Sequence, residues 1–269
     1  MIKGPAYDDE TLRARLEALA LEAGRAILEV VRRGFEAEAK PDASPVTEAD
    51  RKAEAIILAG LRQSFPDIPC VAEEEASAGL ASVSPGDRYF LIDPLDGTRE
   101  FVSHRPDYTV NIALVRGGLP EVGVVLAPAK DVLFSARPGL AERIGLTPDG
   151  KPAVRHRIAA RPRREPPLVV ASRSHLTAET SDYILECGAV DTVNVGSSLK
   201  FCILASGEAD LYPRFGRTMQ WDTAAGDAIL RAAGGITRTI EGASLFYGPR
   251  PVEGDEWANP SFIASGAPA

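Results

Sequence analysis

Tyr89-Phe90-Leu91-Ile92-Asp93-Pro94-Leu95-Asp96-Gly97-Thr98 decides how this chain is read. Four apolar residues in a row describe a buried strand, and Asp93 lies at its exposed end. Pro94 removes an amide donor, so the strand is expected to stop there. The turn that follows folds Asp96 back beside Asp93, leaves the Leu95 carbonyl free and presents the Gly97 and Thr98 amides. Paired carboxylates and a carbonyl are hard oxygen donors, suited to Mg2+ or a similar ion and unsuited to zinc. Free amides at a helix start suit a phosphate. The local chemistry reads as a metal-dependent phosphoryl site.

The segments around it supply a scaffold. Leu12, Leu16, Leu19, Ala23, Ile27, Val30 and Val31 recur at helical spacing over residues 9–33, ending near Gly34. A second helix is expected from about Thr47 to Phe65, stopped by Pro66. Short strands follow around 69–72 and 89–92. Residues 108–115, 121–127 and 131–136 read as an antiparallel meander with turns at Gly117-Gly118 and near Pro128. From about residue 150 the stretch KPAVRHRIAARPRREPP is basic and proline-containing, and reads as an exposed connection. Beyond it, strands at 167–172, 191–195 and 209–213 alternate with helices near 176–187, 197–207 and from Asp222 to about Ala233. The expectation is an α+β half over 1–155 and an α/β half over 156–269.

Bulk properties narrow the function. With 269 residues there is length for a large core, and 45% hydrophobic with 25% charged residues is ordinary for a globular protein. A net charge of -8 argues against nucleic acid as a partner, which needs a basic face. A small anionic substrate stays open, because a metal and a few cations invert the local field. The cysteines, Cys70, Cys187 and Cys202, are widely spaced and flanked by apolar residues, and read as reduced thiols. No basic segment leads into an apolar core at the N-terminus, and no apolar run reaches the roughly 18 residues of a transmembrane segment. A cytoplasmic location is expected.

Other positions carry both a structural and a chemical reading. Glu73, Glu74 and Glu75 leave the apolar triplet Cys70-Val71-Ala72 and read either as a solvated face or as the source of one ligand, for which Glu73, first off the strand, is favoured among the three. Asp222, ahead of an apolar helix, is an N-cap, a ligand, or both. Thr47 and Asp50 have capping-box spacing, but Asp50 could instead orient Thr98, whose hydroxyl is too weak an acid to position a water alone. Ser197 or Ser198 caps the helix after 195. Lys200 in its first turn opposes the helix dipole, a conflict that a bound phosphate would resolve. Arg214 could contact a second phosphate or a base. His175 follows a strand, and spacing alone leaves it a surface histidine.

Three familiar phosphate and hydrolase signatures do not fit. The aspartyl-nucleophile signature of haloacid-dehalogenase phosphatases, Asp-x-Asp-Gly-Thr, has one residue between its acids; here two residues separate Asp93 from Asp96, and Pro94 stands where that nucleophile should be. No P-loop and no Gly-x-Ser-x-Gly elbow occurs.

Taken together, Pro45-Val46-Thr47 with Asp50, Glu73-Glu74, DPLDGTREF at 93–101 and WDTAAGDA at 221–228 resemble the inositol monophosphatase superfamily. DYTVNIALV at 107–115, LVVASRSH at 168–175 and GSSLKFCILASGEADLYPRFG at 196–216 resemble its 3'(2'),5'-bisphosphate nucleotidase branch. The resemblance implies a layered α/β/α/β/α sugar-phosphatase fold of the α+β class. It implies two or three Mg2+ ions, with Mn2+ as an alternative, on Glu73, Asp93, the Leu95 carbonyl, Asp96 and Asp222. It implies Asp50 and Thr98 as the water-activating pair. The substrate, a small phosphorylated nucleotide such as adenosine 3',5'-bisphosphate, would touch Glu73, Asp96, Gly97, Thr98, His175, Ser197, Lys200, Arg214 and Asp222. The resemblance further implies lithium sensitivity, a homodimer as a common assembly and, for some members, peripheral association with the inner membrane. Inositol phosphates and fructose 1,6-bisphosphate remain alternative substrates, and a non-catalytic phosphometabolite sensor is the alternative of another class.

Overall fold

A computed structural model describes residues 7–39, 45–80, 85–172, 176–189, 191–250 and 256–267. The chain opens with helix α1 (Asp9–Arg33), the short strands β1 (Ala37–Ala39) and β2 (Pro45–Thr47), and helix α2 (Glu48–Ser64). Strand β3 (Cys70–Ala72), helix α3 (Glu73–Ser77), strand β4 (Arg88–Asp96) and helix α4 (Thr98–Val102) follow. The meander is β5 (Thr109–Arg116), β6 (Leu119–Ala127), β7 (Val132–Arg137), β8 (Leu140–Leu146) and β9 (Pro152–Arg157). The remainder is β10 (Leu168–Ser172), α5 (Ala178–Glu186), β11 (Asp191–Val195), α6 (Leu199–Ala205), β12 (Leu211–Arg214), α7 (Gln220–Ala232), β13 (Ile236–Thr239) and β14 (Phe262–Ser265).

Strands β3 to β9 form one seven-stranded sheet in chain order, parallel between β3 and β4 and antiparallel elsewhere. A five-stranded sheet has the order β11-β10-β12-β14-β13, parallel through β11, β10 and β12 and antiparallel beyond. Alternation along β4 gives the large sheet two apolar faces. Phe90 and Ile92 pack with Leu16, Ile27, Ile57 and Leu61 of α1 and α2. Tyr89 and Leu91 face the opposite way, into a cluster with Phe201 of α6 and Ala224 and Ile229 of α7. Val170, Tyr212 and Phe262 from the small sheet close that cluster from the far side, and α5 lies against β12. The five layers are therefore α/β/α/β/α, as expected. Among the described residues no helix is long and apolar enough to cross a membrane.

Several elements differ from the sequence reading. The segment taken as an exposed connection contains β9, the edge strand of the large sheet. All six of its residues are exposed, so it shows no apolar alternation to read. Its anchor is ionic: Arg155 Nη2 lies 2.6 Å from Glu17 Oε2 on α1, and Arg13 bridges Glu17 and Glu142 at 3.0 and 2.6 Å. Helix α7 begins at Gln220, two residues before the expected Asp222. Strands β13 and β14, each four residues long, were not anticipated.

Helix α7 reaches the large sheet because β6 carries glycine where the two meet. A Cβ at Gly123 would stand 2.6 Å from the Ala225 carbonyl oxygen and 2.7 Å from Ala228 Cβ. Gly123→Ala is expected to destabilise the fold by about 1–3 kcal/mol, an overpacking cost. Gly145→Ala, where nothing lies within 4 Å, should leave the thermal midpoint unchanged. Equal midpoints for the two variants in thermal unfolding would contradict the close approach of α7 to β6.

Candidate active site

The core of the site is an irregularity in β4. Asp93 pairs with Asn111 of β5 and Asp96 with Thr109, so three steps along one strand answer two along the other. That is a β-bulge, and it corrects the expectation that Pro94 ends the strand: β4 runs through it. In a regular strand residues three apart point to opposite faces. The extra residue brings both carboxylates to one side. Asp93 Oδ1 accepts the Leu95 amide at 3.0 Å, which fixes the inside of the bulge. The Leu95 carbonyl, expected to be free, accepts the Thr98 hydroxyl at 3.1 Å and keeps a second lone pair. Gly97 follows with φ 90°, and a Cβ there would meet the Asp107 carbonyl at 2.9 Å.

Two further carboxylates join from other elements. Glu73, the first residue of α3, comes within hydrogen-bonding reach of Asp93. Asp222 stands in the first turn of α7, where Oδ2 accepts the Met219 amide at 2.9 Å, so it closes the helix start from inside and is not the N-cap. Burial, then the charges of Glu73, Asp96 and Asp222, hold the Asp93 carboxyl well above the ordinary carboxylate range. Burial, then Asp96 and Glu73, does the same for Asp222. Asp96 is also raised by burial, with Lys200 opposing. Asp96 and Asp222 keep an edge open to the cavity, yet the protein packed round them strips most of their hydration. Of the other two glutamates, Glu75 turns outward to Arg62 at 2.7 Å.

Asp50 serves both readings given to it. Its Oδ2 accepts the Thr47 amide at 2.8 Å and the Thr47 hydroxyl at 2.7 Å, completing the capping box of α2. Its Oδ1 lies 3.3 Å from the Thr98 hydroxyl. Asp50 is only 2% exposed, and burial raises its carboxyl.

The turn before α6 meets the bulge from the second half of the chain. Ser197, with φ 59°, donates its hydroxyl to Asp96 Oδ2 at 2.7 Å, and the Ser198 amide donates to the same oxygen at 2.7 Å. Ser198 is the N-cap of α6. Thr109 and Asn111 of β5 tie the turn down: Ser198 Oγ reaches Asn111 Oδ1 at 2.7 Å, and the Thr109 hydroxyl contacts both serines. Lys200 is buried and its Nζ donates to the carbonyl oxygens of Ser197 and Val195, the latter at 3.4 Å. Those carbonyls and Asp96 resolve the dipole conflict locally. Burial pulls the Lys200 ammonium down to about 8, with Asp96 opposing. Arg214, 6% exposed at the end of β12, donates from Nη2 to the Arg217 carbonyl at 2.9 Å. His175 lies outside the described residues.

A cavity of about 440 Å³ joins these groups. Glu73, Asp93, Leu95, Asp96, Gly97, Thr98 and Asp222 line it together with Ser197, Lys200 and Arg214, while Asp50 stands behind Thr98. Among the described residues no three carboxylates, histidines or cysteines close on a single point as a tight cage; the acids are spread along one wall. Their chemistry still fits a hard divalent cation: every donor is oxygen, and several buried carboxylates raise one another's proton affinity. Sequence reasoning passed over Arg217, three residues after Arg214 on the same wall. It also passed over Thr109 and Asn111, although polar residues at alternate positions of an otherwise apolar strand are a readable signal. Glu54, on the buried face of α2 one turn after Asp50, was missed for want of a partner in the sequence.

The model of the inositol monophosphatase family matches residues 8–266. The chain is 45% identical over 251 residues to the 3'(2'),5'-bisphosphate nucleotidase CysQ of Escherichia coli strain K12, covering 92% of this chain and 96% of that protein. It is 46% identical over 248 residues to the protein of the same name from Salmonella typhimurium, covering 91% and 95%. Among solved structures it is similar to CysQ from Bacteroides thetaiotaomicron, with a TM-score of 0.76 and 34% identity over 96% of this chain and 98% of that one. An IMPase from Thermotoga maritima superposes with a TM-score of 0.72 at 26% identity, covering 94% and 92%. With its layers, its bulged acidic strand and these relatives in agreement, the chain belongs to the inositol monophosphatase family.

Proposed function

We propose that the protein is a 3'(2'),5'-bisphosphate nucleotidase that removes the 3'-phosphate of adenosine 3',5'-bisphosphate, giving AMP and phosphate, with its sulfated analogue PAPS as a second substrate yielding APS. The observation that carries this reading is the division of charge in the lining of one cavity: the carboxylates Glu73, Asp93, Asp96 and Asp222 share it with the cations Lys200, Arg214 and Arg217. A substrate with two separated phosphates matches that division, and the relatives named nucleotidases support it.

Glu73, Asp93, the Leu95 carbonyl, Asp96 and Asp222 would hold two or three Mg2+ ions, with Mn2+ as a substitute. Bound there, the ions neutralise phosphate charge and lower the pKa of water. The remaining work belongs to the chain. Thr98 gives its proton to Asp50 and accepts one from a water in the cavity, aiming the water's lone pair at phosphorus. Burial makes Asp50 the better acceptor for that proton. A bond forms from water oxygen to phosphorus as the bond from phosphorus to the 3'-oxygen breaks, and the departing oxygen takes a proton from solvent. Gly97 and Thr98 would contact the reacting phosphate, and His175, Ser197, Lys200 and Arg214 the rest of the nucleotide. The ordinary work of such a site is positioning and charge stabilisation. A role in sulfur metabolism, inhibition by lithium, a cytoplasmic location and a homodimeric assembly complete the reading.

Purified protein with Mg2+ should hydrolyse adenosine 3',5'-bisphosphate with a kcat/KM at least about tenfold, or ~1.4 kcal/mol, above that for inositol 1-phosphate. The opposite ranking would make it an inositol monophosphatase. Thr98→Ala should lower kcat by about 10²–10⁴-fold while nucleotide and metal still bind; turnover at the parent rate would remove Thr98 from the mechanism. The acid wall makes a third prediction. A carboxyl whose folded pKa is raised contributes stability at low pH that is lost as pH rises above the ordinary carboxylate range. Asp93→Asn removes that loss and keeps the acceptor for Leu95. In chelator at pH 8 its thermal midpoint should exceed the parent's, the gap closing toward pH 4, and Mg2+ should reverse the order. A midpoint below the parent's at pH 8 without metal would contradict the repulsion.

A further inference from the structure

Helix α3 begins without a cap of its own. Ala72 occupies the N-cap position and offers no side-chain acceptor, so the first amides of the helix need a partner from elsewhere. Glu54 supplies it across the gap from α2. Its Oε2 accepts the Glu74 amide at 2.8 Å and its Oε1 the Glu75 amide at 2.9 Å. Glu54 is 5% exposed, and both oxygens are used. On the outer side, Glu75 is held by Arg62 Nη2 at 2.9 and 2.7 Å. These two grips set how α3 is turned about its axis, and that turn decides where Glu73, its first residue, points. Glu73 points at Asp93 and Asp222.

We propose that Glu54 is a positioning residue: by clamping the start of α3 it aims Glu73 into the acid wall and so sets the affinity of that wall for its divalent ion. The inference rests on the reading of Glu73 as a metal ligand. It also gives α2 a second role. Asp50 and Glu54 are one helical turn apart on the same buried face, one reaching Thr98 and the other reaching α3. A single helix therefore sets the place of the water-orienting hydroxyl and the direction of a ligand. An outer carboxylate that orients a metal ligand is worth about 10–100-fold in metal affinity where it has been tested.

The test is Glu54→Gln, which keeps shape and one acceptor but turns an amide NH2 toward a backbone N–H. Mg2+ binding to chelator-treated protein is followed by titration calorimetry, alongside the Mg2+ dependence of turnover and the thermal midpoint. The expected result is a Mg2+ Kd raised about 10–100-fold, a matching rise in the Mg2+ needed for half-maximal turnover, and a kcat at saturating Mg2+ near the parent's. A lowered midpoint with Mg2+ affinity unchanged would overturn the proposal, since a merely structural cap predicts that. If Glu54→Gln does not fold, Glu54→Asp keeps the charge but cannot span both amides, and the same criteria apply. Ala72→Ser in either background gives α3 a cap of its own and should restore affinity. Glu73→Gln separates the two levels. Unchanged Mg2+ affinity in that variant overturns the ligand reading and this inference with it. Weakened affinity there, with Glu54→Gln unaltered, overturns the positioning role alone.

Discussion

One extra residue in β4 is the constraint on which the rest of the site depends. Without it, Asp93 and Asp96 would face opposite sides of the large sheet, one toward α1 and α2 and the other toward α7. The bulge brings them to the same side, and Pro94 suits it because a bulged position needs no ladder donor. The consequences spread from there. Thr98 is placed to reach Asp50, and Asp96 is placed to receive the serine turn that comes from the other half of the chain.

The cost of this arrangement is electrostatic. Buried carboxylates beside one another disfavour their own ionisation, and the fold contains them with a frame of hydrogen bonds and two cations, Lys200 near Asp96 and Arg214 near Asp222. Leu95, Met219 and Ser198 each give a backbone amide to a different acid of the wall. The lysine that helps Asp96 is itself desolvated and held by carbonyl oxygens. The site is thus a set of groups kept in disfavoured charge states by rigid neighbours, a common signature of functional positions.

Much of this was legible before any coordinates. Asp93 and Asp96 were named from their type and spacing, Glu73 from its place at a strand end, where the structure puts it facing Asp93, and Asp222 only through the family resemblance. The layered fold came from resemblance and from apolar periodicity in α1, α2 and the meander. What escaped has physical reasons. The bulge was read as a stop because proline is usually one. Strand β9 is exposed on both faces and is held by ions to α1, so it lacks the alternation that marks strands. Glu54, Thr109 and Asn111 act through partners more than fifteen residues away in sequence, and no local pattern encodes such a partner. The bounds of α7 shifted because Asp222 closes the helix start from its third position and does not stand before the helix.

The distance in sequence between Asp93 and Asp222 has a consequence for how the molecule comes into being. Helix α7 reaches its place between the two sheets only when β6 is formed beneath it, and the small sheet above it is completed by β14, near residue 265. Contacts of such separation form late, because loop closure must precede them. Asp93 and Asp96 lie on the large sheet and Glu73 just beyond its strand β3, whereas the fourth acid is carried by α7. The acid wall is therefore assembled across most of the length of the chain, and its completeness depends on both sheets being in place.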